Sequence, residues 1–406
     1  MKTMPKRVFV AAYRQSPFGK LGAATIPQII HSALEDLTRE GGFSAEVVDT
    51  AAVAGCLTPL IGDQVLLSGL VASYPGLAGK PIETVENACA SGGQAILSVV
   101  HRLLVGEAEV GIALGVEKMR DSEGKADGKM IGKVLGTASH PDDRPGKVFV
   151  FPHLFAEVMD LYLKEWKVTE RDLAHVPVTF YEHAAHNPYA QMRGVQMTVE
   201  KVLALEGPNR YIVEGLPLKT FECSQISDGW AAICLATEEG LRRLGVDRAR
   251  CAELVGFGQA TDPLSTRGRD VLRPAGAYRA MRTAYDMARI RPDDLDVAEV
   301  HDCFGVMGAI AVEILGKVPA GQGARYYVDG RARLGGGALP INTSGGLIAK
   351  GHPISATGVA MVGWNYWQLT HQVPKELQVP NPRHAATFNI GGPICASVTT
   401  ILRAVG

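Results

Sequence analysis

A single cysteine in the segment Asn87-Ala88-Cys89-Ala90-Ser91-Gly92-Gly93 stands where a β-branched strand, Ile82–Val85, turns into an apolar-periodic helix. Ile96, Val99, Val100, Leu103 and Leu104 recur at the spacing of one buried helical face, which sets Cys89 at or beside the helix N-terminus. Unpaired amides and the positive end of the helix dipole stabilise a thiolate there, so the spacing predicts a thiol of lowered pKa, usable as a nucleophile near neutral pH. The same amides can hold an oxyanion. Read locally, Cys89 serves at least as well as a small core residue, as most free cysteines do. Its partners must come from elsewhere in the chain.

Three segments of the C-terminal third carry groups such a nucleophile needs. Val300-His301-Asp302-Cys303-Phe304 ends a short predicted strand, Val297–Val300. Asn342-Thr343-Ser344-Gly345-Gly346 leads through Lys350-Gly351-His352-Pro353 into a second helix, and Asn389-Ile390-Gly391-Gly392-Pro393 precedes a last strand. Each alone is ordinary: a histidine between Gly and Pro is most often a turn residue, and a glycine pair permits positive φ or close packing. Their order and spacing together are the signal.

The elements that must position these segments come in two copies. A strand at 8–12, a helix at 27–37, the turn 44–49 and the apolar run 51–54 are matched after position 250 by a strand at 253–257, a helix at 277–288, the turn 291–296 and the strand before His301. An Asn-to-Gly-Gly element follows in each half, 87–93 and 342–346. Alternating strands and helices predict a parallel or mixed α/β sheet, and the repeat predicts two similar halves packed together. Ligand sites then belong at strand C-termini near the join, where Cys89, His301 and His352 are expected. Between the halves, roughly 120–250, the chain is polar and Gly-rich at 121–128, turns through 141–146 and becomes amphipathic and helical over 154–166. His183 and His186 stand there at i, i+3 without a third ligand of matching spacing, so a solvated helical face is expected rather than a metal site.

With these motifs the chain resembles the thiolases of the sterol-carrier-protein type, in which His-Asp-Cys-Phe replaces the Asn-Glu-Ala-Phe of other branches. The resemblance runs over residues 7–403 and takes in Arg14-Gln15-Ser16-Pro17-Phe18-Gly19, Asn187-Pro188-Tyr189-Ala190-Gln191 and the Ser-Asp-Gly ending of 223–229. It implies a thiolase-like α/β fold: two duplicated βαβαβαββ halves, 1–120 and 251–406, in a layered α-β-α-β-α arrangement. An inserted loop domain, 121–250, would cover the catalytic face, hold CoA and return to the first half. The implied reaction makes or breaks the C–C bond of a 3-oxoacyl-CoA through an acyl-cysteine. Cys89 would be the nucleophile and His352 its base, imidazole being the side chain that ordinarily titrates near neutrality. Cys303 would act on the α-carbon proton, because Asn389 occupies the place of the second cysteine of other thiolases. His301 and His352 would hold the enolate oxygen, and Asn389 and the amides of Cys89 and Gly391 would form the oxyanion hole. Cys395 is expected to be a core residue on an apolar strand. Ser355 and Trp230 depart from the family's small residues and are expected to add bulk near the pocket. The alternatives are a thiolase-fold C–C lyase working with an OB-fold partner, and a non-catalytic acyl-CoA-binding subunit.

Composition is consistent with this and excludes other classes. The chain has 406 residues, 46% apolar and 20% charged, enough for two or three domains of a soluble enzyme. A formal net charge of −1 leaves no basic excess for nucleic acid. The third glycine of a dinucleotide fingerprint is missing after Gly256-Phe257-Gly258, and there is neither a P-loop nor a Gly-x-Ser-x-Gly elbow. Seven cysteines without a Cys-x-x-Cys read as reduced thiols of a cytoplasmic protein. The apolar run behind the basic N-terminus breaks at Arg14, too soon for a secretory leader or a membrane span, and the C-terminal Arg403-Ala404-Val405-Gly406 carries no peroxisomal address. No permanent cofactor and no metal are expected, with CoA and acyl-CoA as substrates and a homodimer or homotetramer as the assembly, since the duplicated halves leave edge strands to cover.

Overall fold

The first half runs β1 (Val8–Gln15), α1 (Ile26–Gly41), β2 (Thr50–Ala54), α2 (Leu67–Ala72), β3 (Ile82–Val85), α3 (Ser91–Val105) and β4 (Val110–Glu117). An inserted helical stretch follows, α4 (Gly128–Gly136), α5 (Val150–Trp166), α6 (Glu170–Ala184) and α7 (Val199–Leu203), before β5 (Gly229–Thr237) returns to pair between β1 and β4, and α8 (Glu238–Leu244) leads out. The second half comprises β6 (Ala252–Thr261), α9 (Ala275–Ala288), β7 (Val297–Val300), α10 (Gly305–Ile314), α11 (Gly323–Val328), a π-helical turn at Gly346–Lys350, α12 (Ile354–Leu369), β8 (His384–Gly391) and β9 (Ala396–Ala404). This computed structural model describes residues 4–405. The first three basic-segment residues and the final Gly406 of the C-terminal tetrapeptide lie outside the described residues.

The strand order makes the duplication explicit. The nine-stranded sheet reads β3-β2-β4-β5-β1-β6-β9-β8-β7, and its two halves meet where β1 and β6 pair antiparallel, Val8 opposite Leu254. Outward from that joint β5, β4, β2 and β3 correspond to β9, β8, β7 and a last strand reduced to one bridge, Ala298 with Ile341. Asn342, next in the chain, sits at φ +52, a left-handed conformation that asparagine tolerates and a strand does not, so pairing stops there.

Three apolar layers fill the space around the sheet. The middle one gathers the inner faces of both halves around α3 and α12, and all of α12 is buried, as expected of a helix without a polar face. One outer layer packs α1 and α8 on the first half; the other packs α5, α6, α9 and α10 on the second. The stretch Ala88–Val105 is apolar enough to cross a membrane, and here it is the core helix against α12. Glycine lets the two central helices touch: a Cβ at Gly92 would lie 2.8 Å from the Val359 nitrogen. That contact brings the start of α3, with Cys89, against the start of α12, with His352.

Candidate active site

Cys89 sits in the tight turn between β3 and α3, one residue before the N-cap Ala90. Ala88 takes φ +48, unusual for a non-glycine residue, and the turn is fixed around it. The Ala88 N–H donates to Glu86 Oε1 at 2.6 Å, the Asn87 N–H to Ser91 Oγ at 2.8 Å, and Ser91 Oγ donates to the Ala88 carbonyl at 2.6 Å. The placement is the expected one, but the expected acidity is reversed. Burial pushes the Cys89 thiol up to about 12, with the Glu117 and Glu86 carboxylates pushing the same way. Loss of hydration in an apolar cavity outweighs the helix-end amides.

His301 and His352 face each other near that sulfur, ring centres 5.1 Å apart and planes at 89°. Cys89 Sγ and one ring nitrogen of each histidine lie within 4.8 Å of one another. The hydrogen-bond network assigns the two rings opposite tautomers. The hydroxyl proton of Thr357 goes to the Pro353 carbonyl at 2.9 Å, so Thr357 Oγ1, 2.7 Å from His352 Nδ1, accepts from Nδ1–H. His352 Nε2 is then a bare lone pair. Asn389 Nδ2 lies 3.0 Å from the Cys89 carbonyl, which can only accept, and 3.1 Å from His301 Nδ1. His301 Nδ1 is therefore the acceptor, and its Nε2 carries the hydrogen. Among the described residues both Nε2 atoms are buried without a protein partner. Burial holds both rings neutral, His352 pushed down to about 3 and His301 well below the ordinary histidine value.

Supporting groups hold these loops. Ser227 Oγ accepts from the His352 N–H at 2.9 Å, and the His301 N–H donates to the Phe388 carbonyl at 2.9 Å. Asp302, its carboxyl raised to about 7 by burial, accepts from Asn342 Nδ2 at 2.8 Å and from the Leu347 N–H at 2.7 Å. The cavity in front of the sulfur measures about 200 Å³ and takes in Cys89, His301, His352 and Cys303. Cys303 is buried, its carbonyl accepting from the Ser224 N–H at 2.8 Å, and burial raises its thiol well above the ordinary value. Gly391 packs on the nucleophile turn, where a Cβ would meet the Asn87 carbonyl, while Gly392 lines the cavity.

Four expectations are corrected by the packing. Ser355 is not at the pocket: its hydroxyl turns to Glu117 Oε2 at 2.7 Å, and Glu117, raised to about 7 by burial, also accepts from the Leu57 N–H. Trp230 is buried in the outer core of the first half and does not line the cavity. His183 is buried, not solvated; Nδ1 donates to the Asn342 carbonyl at 3.0 Å and Nε2 accepts from the Leu334 N–H at 3.2 Å. His186 is exposed. Cys395 is buried but sits in the turn between β8 and β9, its thiol donating to the Asp262 carbonyl at 2.9 Å. Sequence reasoning missed Thr357. Its signal was local: a threonine four residues after Pro353 at a helix start bonds back to that carbonyl and leaves its oxygen open to the histidine between.

A nucleophilic sulfur, a base lone pair and a ring N–H thus converge on one apolar cavity, the set needed for acyl transfer with an oxyanion intermediate. Family models agree over nearly the whole chain: the thiolase N-terminal domain matches residues 8–239 and the thiolase C-terminal domain-like model residues 258–404. The chain is 35% identical over 385 residues to the acetyl-CoA acetyltransferase of Methanothermobacter thermautotrophicus, covering 95% of this chain and 96% of that protein. It is 30% identical to human sterol carrier protein 2, covering 95% of this chain and 70% of that protein. The benzoylsuccinyl-CoA thiolase subunit BbsB of Thauera aromatica is 29% identical with 96% of each covered. Among solved structures, the Ltp2-ChsH2(DUF35) aldolase superposes with TM-score 0.80 at 20% identity and 99% coverage of both chains. Human mitochondrial 3-ketoacyl-CoA thiolase in complex with CoA superposes with 0.72 at 20% identity and the same coverage. The chain belongs to the thiolase family.

Proposed function

We propose that this thiolase works through Cys89, His352, Cys303 and His301 in the roles their geometry supports, and the observation that carries the proposal is the pair of opposite tautomers around Cys89. In acyl transfer the Cys89 sulfur attacks the carbonyl carbon of the incoming acyl-CoA while its proton passes to the bare Nε2 of His352. The high pKa of the resting thiol makes this coupling necessary, because almost no free thiolate is present. The oxyanion rests on the amides of Cys89 and Gly391, the C–S bond breaks, and CoA leaves with the proton from His352. In condensation the Cys303 thiol first gives its proton to the bare Nε2 of His352, and the resulting thiolate takes a proton from the α-carbon of the second acyl-CoA. The enolate oxygen lies between the His301 Nε2–H and the His352 protonated in that step, the α-carbon attacks the acyl-cysteine, and the Cys89 sulfur leaves with the proton from His352. In cleavage every step reverses, and the neutral Cys303 thiol supplies the proton that the leaving enolate needs. Asn389 spends both amide hydrogens on the Cys89 carbonyl and His301. We therefore assign it as the positioning residue of these two groups rather than an oxyanion donor.

Residues 121–250 form, in this reading, the domain that covers the cavity and holds the CoA moiety between the halves 1–120 and 251–406. The half-exposed edge strand β3 supports a homodimer, and seven free cysteines support a cytoplasmic setting. A C–C lyase reading rests on a likeness that carries the fold alone, whereas Cys89 and Cys303 together at the cavity favour the thiolase. Incubation with acetyl-CoA followed by intact mass and peptide mapping tests the proposal. A stoichiometric acetyl group on Cys89, absent from Cys89→Ala, is expected; an acetyl group on another cysteine, or turnover by Cys89→Ala, refutes it.

A further inference from the structure

The cavity holds more room than an acetyl group can fill, and its far wall is almost entirely carbon. Ile131 and Leu135 of α4, Phe151 and Phe155 of the α5 segment, and Phe304 from the loop beside Cys303 line it. Phe155 and Phe304 stack at 4.5 Å. An apolar cavity of about 150 Å³ stays dry and accepts a benzene ring, and this one is about 200 Å³. The pantetheine arm of CoA carries amides that need partners, which such a wall does not provide. The lining polar groups Ser224 and Gln225 belong to the 223–226 loop instead. The free carbon-lined volume suits a hydrocarbon.

We propose that this thiolase is specific for 3-oxoacyl-CoA whose acyl tail is an apolar group of about six carbons or more, straight or ending in a phenyl ring, and that α4 sets this limit. This inference rests on the thiolase reading above and names its substrate class. The helix α4 presents glycine to the cavity at 128 and 132. At Gly132 a Cβ would press on the Phe149 ring at 2.8 Å, but at Gly128 it would meet nothing within 4 Å. Gly128 is the first residue of the helix, after the Asp127 cap, and its backbone is not left-handed. A side chain there fits the backbone and the open space at the cavity wall, so a large one is expected to take volume from the cavity.

The test is thiolysis by the native full chain of acetoacetyl-CoA, 3-oxooctanoyl-CoA and a phenyl-terminated 3-oxoacyl-CoA, with kcat/KM for each. The two larger substrates are expected to exceed acetoacetyl-CoA by about tenfold or more, the discrimination a few buried methylenes supply. Gly128→Leu should lower the ratio of larger to smaller substrate by about the same factor. Met130→Ala, on the exposed face of the same helix, should leave the ratio where it was. A native preference for acetoacetyl-CoA would overturn the proposal while leaving the thiolase reading intact. So would a Gly128→Leu effect equal on all three substrates, because the volume would then hold the CoA arm. Absence of thiolysis with every substrate would instead remove the reading on which the proposal rests.

Discussion

Thr357 does not line the cavity, yet the base function proposed for His352 depends on it. Among the described residues its hydroxyl is the only acceptor holding His352 Nδ1–H, at 2.7 Å, in a buried site. Thr357→Val keeps the shape and deletes the acceptor. A buried donor left without a partner costs about 1–3 kcal/mol, and the ring can escape that cost by carrying its proton on Nε2, facing the cavity and any water there. The tautomer with a bare Nε2 then falls in population by the corresponding factor, about 5- to 150-fold at 1.4 kcal/mol per decade. The proposed acylation of Cys89 uses that lone pair, so its rate should fall by the same factor. Thr357→Ser, which restores the oxygen, should recover most of it. The assay is quenched-flow acetylation of Cys89 by acetyl-CoA, read by intact mass, with urea unfolding to show that both variants remain folded. Acetylation of Thr357→Val within about twofold of native, against the smallest loss the unpartnered donor allows, would refute the assignment of the His352 tautomer.

Three further outcomes separate other parts of the structure. Cys303→Ala should still take an acetyl group on Cys89 but lose deuterium exchange at the methyl of acetyl-CoA, while Cys395→Ala keeps both activities and loses about 1 kcal/mol of stability for a small buried truncation; normal exchange by Cys303→Ala would move the acid–base role elsewhere. His183 titrates near 6.5 in the unfolded chain and, by burial, at about 4 in the fold, so its contribution is present above 6.5 and is lost as pH falls through that window. Between about pH 7.5 and about pH 5 the native chain should therefore lose about 2 kcal/mol more unfolding free energy than His183→Asn, and parallel pH profiles would refute the buried placement. Sedimentation at micromolar concentration should show a dimer, and a stable monomer would count against pairing through β3.

Much of the site could be read from the sequence because the chemistry sits at strand-to-helix turns, and turns announce themselves. Ile82–Val85 and Val297–Val300 are strands of the expected bounds, and the residues that follow them, Cys89 and His301, meet at one cavity as the duplicated halves required. What could not be read depends on the direction and surroundings of side chains. The i, i+3 spacing of His183 and His186 places both on nearby parts of a helix surface, but only tertiary packing decides that one is buried against 334–342 and the other is not. Ser355 was placed close to the nucleophile by sequence, yet its rotamer sends the hydroxyl to Glu117. The acidity of Cys89 failed for the same reason on a larger scale. A helix end contributes a fixed, local stabilisation of charge, whereas desolvation depends on walls supplied by 119–155 and 304, far away in sequence.

The reversal of the Cys89 pKa alters the logic of the site. A pre-formed thiolate would need only a substrate, and would stay reactive toward any electrophile small enough to enter. A neutral thiol beside a neutral imidazole must move its proton as the C–S bond forms, and the product of that transfer is an imidazolium in a buried place that disfavours it. In the proposed mechanism that cost is offset when a negative oxygen develops within reach of the Cys89 turn, as a thioester carbonyl becomes tetrahedral. The first half of the chain supplies the sulfur and the second supplies both imidazoles, so this compensation exists only across the β1–β6 joint and the α3–α12 contact that holds it closed. In the proposed mechanism duplication therefore does more than repeat a stable unit: one copy's helix start carries the nucleophile, Cys89, and the other copy's carries its base, His352.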